Sequence, residues 1–430
     1  MAATKVIILG GGFAGLSAAK VLGKSTFDVW LIDRANHHLF QPLLYEVATA
    51  ALSPADIATP IREILSKYKN INVLMGEVIS IDKENRIIAL RNGEKIGYDF
   101  LIIALGARHS YFGQNEWEKN APGLKTLADA LKIREKILIS FEKAERCGNQ
   151  SLALQYLNFV IVGGGPTGVE MAGAIAEIAT NSLIQNFRHI DPSQAKIFLI
   201  EGLPIILSSF PEELSQKAQR YLEKMGVQVM TNRRVSDITD QGVSIGDPLK
   251  NSFLKEGDSS SKLFIPSQNI IWAAGDQASP ILKTLSTPLD RRGRVLVDPD
   301  LSIPHHPEIF VIGDAASRQL PATAAVANQQ GRYVGKLLLS HQKKTERAPF
   351  RYLDIGMLAA IGKTKAIGSY KNFRFSGFFA WMIWGFVHVA YLEGFRNRLS
   401  VLMQWFFSFF TGQRDARLIY RSIDEELPKR

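Results

Sequence analysis

The stretch KVIILGGGFAGLSAAKVL, residues 5–22, passes from a buried-strand pattern through a run of glycines into a helical pattern. Val6 to Leu9 are all β-branched or aliphatic, as a strand covered on both faces requires. Gly10, Gly12 and Gly15 give the spacing G-x-G-x-x-G. The first glycine permits a tight turn, the second lets backbone approach a pyrophosphate, and the third lets helix and strand pack closely. A second strand, about Phe27 to Ile32, ends in Asp33, 18 residues after Gly15, where a carboxylate can accept ribose hydroxyls. Strand, turn, helix and spaced acid agree on a βαβ unit that binds a dinucleotide.

Outward from this unit the pattern restarts. NFVIVGGGPTGVEMAGAIAEIA, residues 158–179, is again strand, glycine turn and helix, with Gly163, Gly165 and Gly168 in the motif positions. AKIFLIEG, residues 195–202, ends its strand in Glu201, 33 residues after Gly168. That long spacing predicts an extended helix and loop through NSLIQNFRHIDPS. An acid there favours a ribose 2′-OH and repels a 2′-phosphate, so NADH is expected over NADPH. A solvated strand-end acid is the plainer reading of Glu201. FLIIALGA (100–107) and NIIWAAG (269–275) play matching parts as late strands in the two units. Asp314, in IFVIGDAA (309–316), follows a strand far down the chain. It suits a second phosphate and ribitol contact for a tightly held flavin, although an acid there can also simply cap the next helix.

The fold class expected is α/β, with two Rossmann-like dinucleotide-binding domains and a C-terminal amphipathic helical segment. The FAD domain is split, residues 1–120 and 286–345, with an NADH domain inserted at residues 155–285. Residues 350–430 form a membrane-anchoring, quinone-access region. The polar stretch 241–262 is expected as an exposed hairpin or loop, and KKTERAPF (343–350) as a linker.

Composition narrows the function. The 430 residues are 46% hydrophobic and 21% charged, enough to bury more than one core. The net charge of +10 raises nucleic acid, anionic membrane and phosphate-bearing cofactors as partners. No basic run, zinc-finger spacing or RNA-binding aromatic signature accompanies it, which excludes nucleic acid. The single cysteine, Cys147, rules out a redox-active cysteine pair. No His, Cys, Asp and Glu cluster has metal-ligand spacing, so no metal is expected. The N-terminal apolar run is too short for a signal peptide.

The C-terminal stretch changes character. GFFAWMIWGFVHVAYL (377–392) holds no Lys, Arg, Asp or Glu. As a helix it would span about 24 Å, short of the hydrocarbon core of about 30 Å. From Leu399 to Phe410, Ser400, Gln404 and Ser408 recur at every fourth position as a narrow polar stripe. Leu399, Leu402, Met403, Phe406 and Phe410 cover the broad opposite face. Aromatic rings flanked by Arg suit a membrane interface; a dimer interface or core helix is the competing reading. His388, alone in its apolar helix, reads as a hydrogen-bonded core histidine.

The chain resembles the two-dinucleotide-binding-domain flavoproteins, and among them the type II NADH dehydrogenases, single-subunit, non-proton-pumping NADH:quinone oxidoreductases. The match rests on GGGFAGL (10–16), FQPLLYEVATAALSP (40–54), GGGPTGVEMAG (163–173), IIWAAG (270–275), VIGDAA (311–316) and GFRNRL (394–399). The resemblance implies an FAD site at Gly10, Gly12, Phe13, Ala14, Gly15, Asp33, Arg34, Gln41, Pro42, Leu43, Thr49, Val78, Ala104, Gly106, Asp314, Ala324 and Ala325. It implies NADH contacts at Gly163, Gly165, Pro166, Thr167, Gly168, Glu170, Glu201, Ala274 and Gly275. Glu170 would work near the nicotinamide, although a first-turn glutamate is favoured by the helix dipole in any case. Ala324 and Ala325, at a helix N-terminus, would favour negative charge at the flavin's pyrimidine end. The family carries AQxAxQ where this chain has Ala324 to Gln329, so Ala325 replaces a glutamine expected at the quinone while Gln329 remains. Glu170 and Gln329 are the expected polar groups at the two substrate positions.

The expected activity is FAD-dependent transfer of electrons from NADH to a membrane quinone. The expected place is peripheral, on the cytoplasmic face of the cell membrane, with a homodimer as a candidate assembly. A soluble NAD(P)H diaphorase or ferredoxin-reductase-like flavoenzyme, or a flavin redox sensor, is the alternative. Sulfide:quinone chemistry would need catalytic cysteines that this chain lacks.

Overall fold

A computed structural model describes residues 3–246, 263–340, 346–414 and 416–419. Much of the polar stretch 241–262 and residues 343–345 of the linker 343–350 fall outside the described residues. The fold is α/β, and the chain divides into two compact units. One comprises residues 1–39, 58–108 and 276–355, the other residues 40–57, 109–275 and 356–430.

The first unit is built on a six-stranded sheet. Its order is Ser302–Ile303, His306–Val311, Phe100–Ile103, Lys5–Leu9, Asp28–Asp33 and Ile71–Met75. All neighbours run parallel except the short first pair. Parallel strands must be covered on both faces, and their side chains comply: Val6, Ile7, Ile8 and Leu9 are fully buried. The discontinuity of this unit in sequence is visible in the register. Ile309 to Val311 pair with Leu101 to Ile103, which in turn pair with Ile7 to Leu9. One face is closed by helix Phe13–Leu22 and helix Ala324–Leu339. These helices approach backbone to backbone, since a Cβ at Gly331 would fall 2.1 Å from the Ala14 carbonyl oxygen.

The second unit repeats the plan at smaller size. Its four parallel strands are ordered Val227–Met230, Lys196–Ile200, Asn158–Val162 and Asn269–Trp272. Each unit also carries a three-stranded antiparallel sheet, Val78–Gly97 in the first and Arg234–Pro266 in the second. Helix Leu127–Arg146 opens on a capping box, in which the Thr126 hydroxyl accepts from Asp129 N–H and the Asp129 carboxylate accepts from Thr126 N–H. Helix Pro166–Glu177 continues into a wider turn, Ile178–Ser182, which accounts for the long spacing to Glu201.

Residues 356–430 belong to this second unit rather than standing apart. Strands Met357–Ala360, Ala366–Tyr370 and Phe373–Gly377 form an antiparallel sheet, followed by helices Phe378–Tyr391 and Phe395–Thr411. Residues 40–57, sequence neighbours of the first glycine motif, group here as well. Hydrogen bonds explain the grouping. Asp56 accepts from Ser400 at 2.7 Å and from Gln404 at 2.8 Å, and Glu46 accepts from the Trp405 indole at 2.7 Å.

Helix Phe395–Thr411 is therefore inverted relative to a soluble amphipathic helix. Its polar stripe faces protein, while Phe406 and Phe410 remain 57% and 70% exposed. Phe378, Phe379, Met382 and Phe386 of the preceding helix are exposed too. No helix among the described residues is long and apolar enough to cross a membrane.

Candidate functional site

The two glycine turns have the same geometry. Gly10 and Gly163 take φ of +103° and +113°, a region open to glycine at little cost. Their N–H groups donate 2.8 Å hydrogen bonds to Ile32 and Ile200, the last buried residues of the neighbouring strands. A Cβ at Gly15 would meet the Gly10 carbonyl oxygen at 1.9 Å, and one at Gly168 would meet that of Gly163 at 1.8 Å. At Gly12 and Gly165, by contrast, an added Cβ has nothing within 4 Å. The third glycine thus closes the turn against the helix, and the second leaves space at the helix N-terminus where a diphosphate fits.

The strand-end acids repeat the same bonding. Asp33 accepts from Gly11 N–H at 2.6 Å and from Ala35 N–H at 2.7 Å. Glu201 accepts from Gly164 N–H at 2.6 Å and from Leu203 N–H at 2.7 Å. Each carboxylate therefore shapes the turn itself. An ionised carboxylate has about four lone-pair sites, so two backbone bonds leave capacity for ribose hydroxyls. Arg34 follows Asp33, and Gly106 and Gly275 close the late strands with φ of +64° and +67°. Ala104 and Ala273 supply the carbonyls that crowd Gly10 and Gly163.

Within the first unit the late Gly-Asp turn reaches the first motif. Gly313, with φ +67°, would bring a Cβ to 3.5 Å from the Ala14 side chain. Asp314 follows directly in the same turn, Gly313–Ala315. Gln330, which sequence reasoning missed, holds this turn: its buried side chain accepts from Gly313 N–H at 2.6 Å. Its only sequence signal was a polar residue at a core position of the helix. Ala324 and Ala325 form the first turn of helix Ala324–Leu339, N-capped by the Thr323 hydroxyl. Gln329 exchanges two 2.9 Å hydrogen bonds with the backbone of Leu353. Val78 begins its antiparallel sheet.

Within the second unit, Gln41, Pro42 and Leu43 form a single 3-10 turn, and the Thr49 hydroxyl donates to the Tyr45 carbonyl at 2.9 Å. Pro166 and Thr167 open the motif helix, which carries Glu170 and Glu177. Glu170 lines a cavity of about 70 Å³ together with Tyr45, Glu46, Glu177, Trp384 and Arg414. Burial pushes the Glu170 carboxyl well above the usual range; a bond from Ala360 N–H opposes this, and the Glu46 charge adds to it. Burial also lifts Glu46 to about 7, against the opposing pull of Trp405, Arg414 and Tyr45. Glu177 is paired with Arg414 at 3.0 Å. His388 is bonded to the Trp384 carbonyl at 2.7 Å and kept neutral by burial, its pKa pushed down to about 4.

Residues 4–331 match the pyridine nucleotide-disulphide oxidoreductase family, and residues 355–415 match the NDH2 C-terminal domain. Two type II NADH:quinone oxidoreductases of Mycobacterium tuberculosis, Ndh and NdhA, are each 40% identical to the chain. The alignments cover 95% and 96% of this chain and 89% of each relative. A solved structure of NDH2 from Plasmodium falciparum, in complex with NADH, superposes with a TM-score of 0.87 at 23% identity. It covers 96% of this chain and 100% of that one. The sulfide:quinone oxidoreductase of Aquifex aeolicus shares the fold, with a TM-score of 0.73 at 16% identity over 99% of each chain. Matched along nearly its whole length, with both glycine turns and the C-terminal domain in place, the chain belongs to the type II NADH:quinone oxidoreductases.

Proposed function

We propose that this protein oxidises NADH and reduces a quinone at a membrane surface, with FAD as its resident cofactor. The observation that carries the reading is the duplication of one dinucleotide-binding turn, acid included, in a chain whose C-terminal helices turn their aromatic face outward. FAD fits the first unit: Gly12 leaves room for a diphosphate, Asp33 has lone pairs left for a ribose, and Gly313, which precedes Asp314, lies beside Ala14 of the same helix. When bound, it supplies the two-electron chemistry that no side chain here possesses.

The chain's own residues supply holding and placement. The N–H groups of the first turn of helix Phe13–Leu22 face one diphosphate, and those of helix Pro166–Glu177 face the other. Glu201 accepts the 2′-OH of NADH and repels a 2′-phosphate. Glu170, in the second turn of its helix and not the first that the sequence suggested, is the polar group assigned to the nicotinamide. A quinone-side role for Gln329 requires its paired bonds to Leu353 to open, and Ala325 adds no donor there.

The outward Phe side chains favour lipid over the soluble diaphorase alternative, which leaves them without a purpose. NADH is a cytosolic reductant, which supports the cytoplasmic face as the side of the nucleotide site. A homodimer covering the same aromatic face is the competing assembly, and sedimentation of the detergent-solubilised protein distinguishes it. The test of the function is steady-state NADH oxidation by vesicle-bound protein, comparing menaquinone and ubiquinone analogues. Quinone-dependent turnover is expected; slow oxidation with every quinone would favour a flavin sensor instead.

A further inference from the structure

The cavity lined by Glu46 and Glu170 has a charge imbalance. Three carboxylates border it, Glu46, Glu170 and Glu177, with two cations, Arg414 and Lys363. Arg414 is spent on Glu177 at 3.0 Å and on the Thr49 carbonyl at 2.7 Å. The Lys363 ammonium donates to the Ser408 carbonyl, and its backbone N–H donates to Glu177. Glu46 and Glu170 have no ion-pair partner among the described residues. His388, neutral in its burial, supplies no charge.

Size and polarity decide what such a space holds. A water needs about 10–15 Å³ of a cavity, so about 70 Å³ accommodates several. Even a benzene ring occupies a cavity of about 150 Å³, and pockets for larger ligands start near about 300 Å³, both above this volume. The indole N–H of Trp384, which borders the cavity and is 1% exposed, has no hydrogen-bond partner among the described residues. An orphan donor bordering a small space that carboxylates also border is a place for water.

Reduction of a quinone by NADH consumes one proton from solvent: NADH, quinone and H⁺ give NAD⁺ and quinol. The hydride carries both electrons and one hydrogen, and the second hydrogen must come from water. We propose that the cavity is a hydrated proton store in which Glu46 is the second proton-holding carboxylate, passing that solvent proton to Glu170 and, through it, to the quinone, where it becomes the second hydrogen of the quinol. Glu46 regains a proton from bulk solvent, relayed by the cavity water, and both it and the water are unchanged after each turnover. Its surroundings suit the task. Oε2 accepts from Trp405 at 2.7 Å, and Oε1 lies 3.3 Å from the Tyr45 hydroxyl, to which a protonated Glu46 can donate in turn. The groups that face it are Tyr45, Glu170, Glu177, Lys363 and Arg414, and burial with the Glu46 charge lifts Tyr45 well above its usual range, so Tyr45 stays protonated. The relay rests on the quinone reading above, but proton-holding by Glu46 does not.

The experiment has two arms, both on full-length protein with FAD bound. In the first, infrared-detected pH titration without NADH or quinone is expected to show a buried carboxyl titrating near neutrality. That signal is lost in Glu46→Gln, which keeps an acceptor for Trp405, and moves to higher pH in Trp405→Phe, which removes a bond favouring the ionised form. In the second arm, anaerobic bleaching by NADH and recovery of colour with quinone are timed separately. Glu46→Gln is expected to slow recovery roughly 100-fold while bleaching is spared, and to flatten the pH profile of recovery; Glu46→Asp restores part of it. An unchanged titration in Glu46→Gln overturns the proposal. Equal slowing of both phases overturns it too, since that is the mark of a structural role. If no quinone restores colour in the unsubstituted protein, the quinone reading falls and the relay with it, and the infrared arm alone decides whether Glu46 holds a proton.

Discussion

The indole N–H of Trp405 donates a 2.7 Å hydrogen bond to the carboxylate of Glu46, 359 positions earlier in the chain. The two side chains join the C-terminal helix to the segment 40–57. Arg414 adds a second tie through the Thr49 carbonyl, and Ser400 and Gln404 a third through Asp56. The C-terminal region is thus a structural part of the second unit, and its removal would uncover Glu46, Asp56 and Glu177. Deleting residues 371–430 therefore cannot separate membrane attachment from folding, and point substitutions are needed.

The two faces of helix Phe395–Thr411 should respond oppositely. Replacing Phe406 and Phe410 by Ser removes exposed rings, so unfolding free energy should shift by no more than about 0.5 kcal/mol. Binding to anionic vesicles should weaken by about tenfold or more per ring, as loss of roughly 1.5–3 kcal/mol of burial in lipid implies. Gln404→Ala should instead leave vesicle binding intact and cost about 1–3 kcal/mol of stability by stripping a donor from buried Asp56. Sedimentation with vesicles and urea unfolding read the two effects; undiminished binding by the double Phe variant would count against lipid as the occupant.

Glycines of one motif should separate folding from binding. Gly168→Ala forces a Cβ to 1.8 Å from the Gly163 carbonyl oxygen, so the second unit should lose stability by several kcal/mol. Gly165→Ala meets nothing within 4 Å and should fold normally while NADH binds more weakly, because the methyl enters the space assigned to the diphosphate. Thermal unfolding and NADH titration distinguish them. Tight NADH binding by Gly165→Ala would move the diphosphate elsewhere.

Glu201→Ala should narrow the preference for NADH over NADPH, measured as the ratio of kcat/KM. It should also cost about 1–3 kcal/mol in stability, because the Gly164 and Leu203 N–H groups lose their acceptor. A destabilised variant with an unchanged coenzyme ratio would confine Glu201 to shaping the turn.

Stability should depend on pH through Glu46. Burial first, with the charge of Glu177 behind it, outweighs the bonds from Trp405 and Tyr45 and the charge of Arg414, lifting its carboxyl from 4.5 to about 7. In the unfolded chain the group ionises near its ordinary value. Its contribution is therefore fully present below about pH 4.5 and is lost as pH rises through about 7. The span is on the order of 3 kcal/mol. Urea midpoints of the unsubstituted protein should fall relative to those of Glu46→Gln across this window, and parallel pH dependence in the two proteins would place the titration on another group.

The glycine turns and their acids were legible in sequence because every requirement is local: a β-branched strand, glycines at set spacing, an acid at the next strand end. The inverted helix was half legible. Ser400, Gln404 and Ser408 marked a polar stripe, but nothing local says that Asp56 receives it. The sheet Met357–Gly377 was missed, since its strands are short, interrupted by turns and only partly buried. Glu46 was quoted only as a letter in a motif. Its character comes from Trp405, Arg414 and Glu177, brought to it by tertiary packing that no spacing along the chain encodes.

The central claim, that one chain takes electrons from NADH and gives them to a quinone, is tested most directly by anaerobic absorbance spectroscopy of the purified protein. The account predicts yellow protein that bleaches on adding NADH and regains its colour when a quinone analogue follows. Colourless protein, or yellow that NADH leaves unchanged, would contradict it.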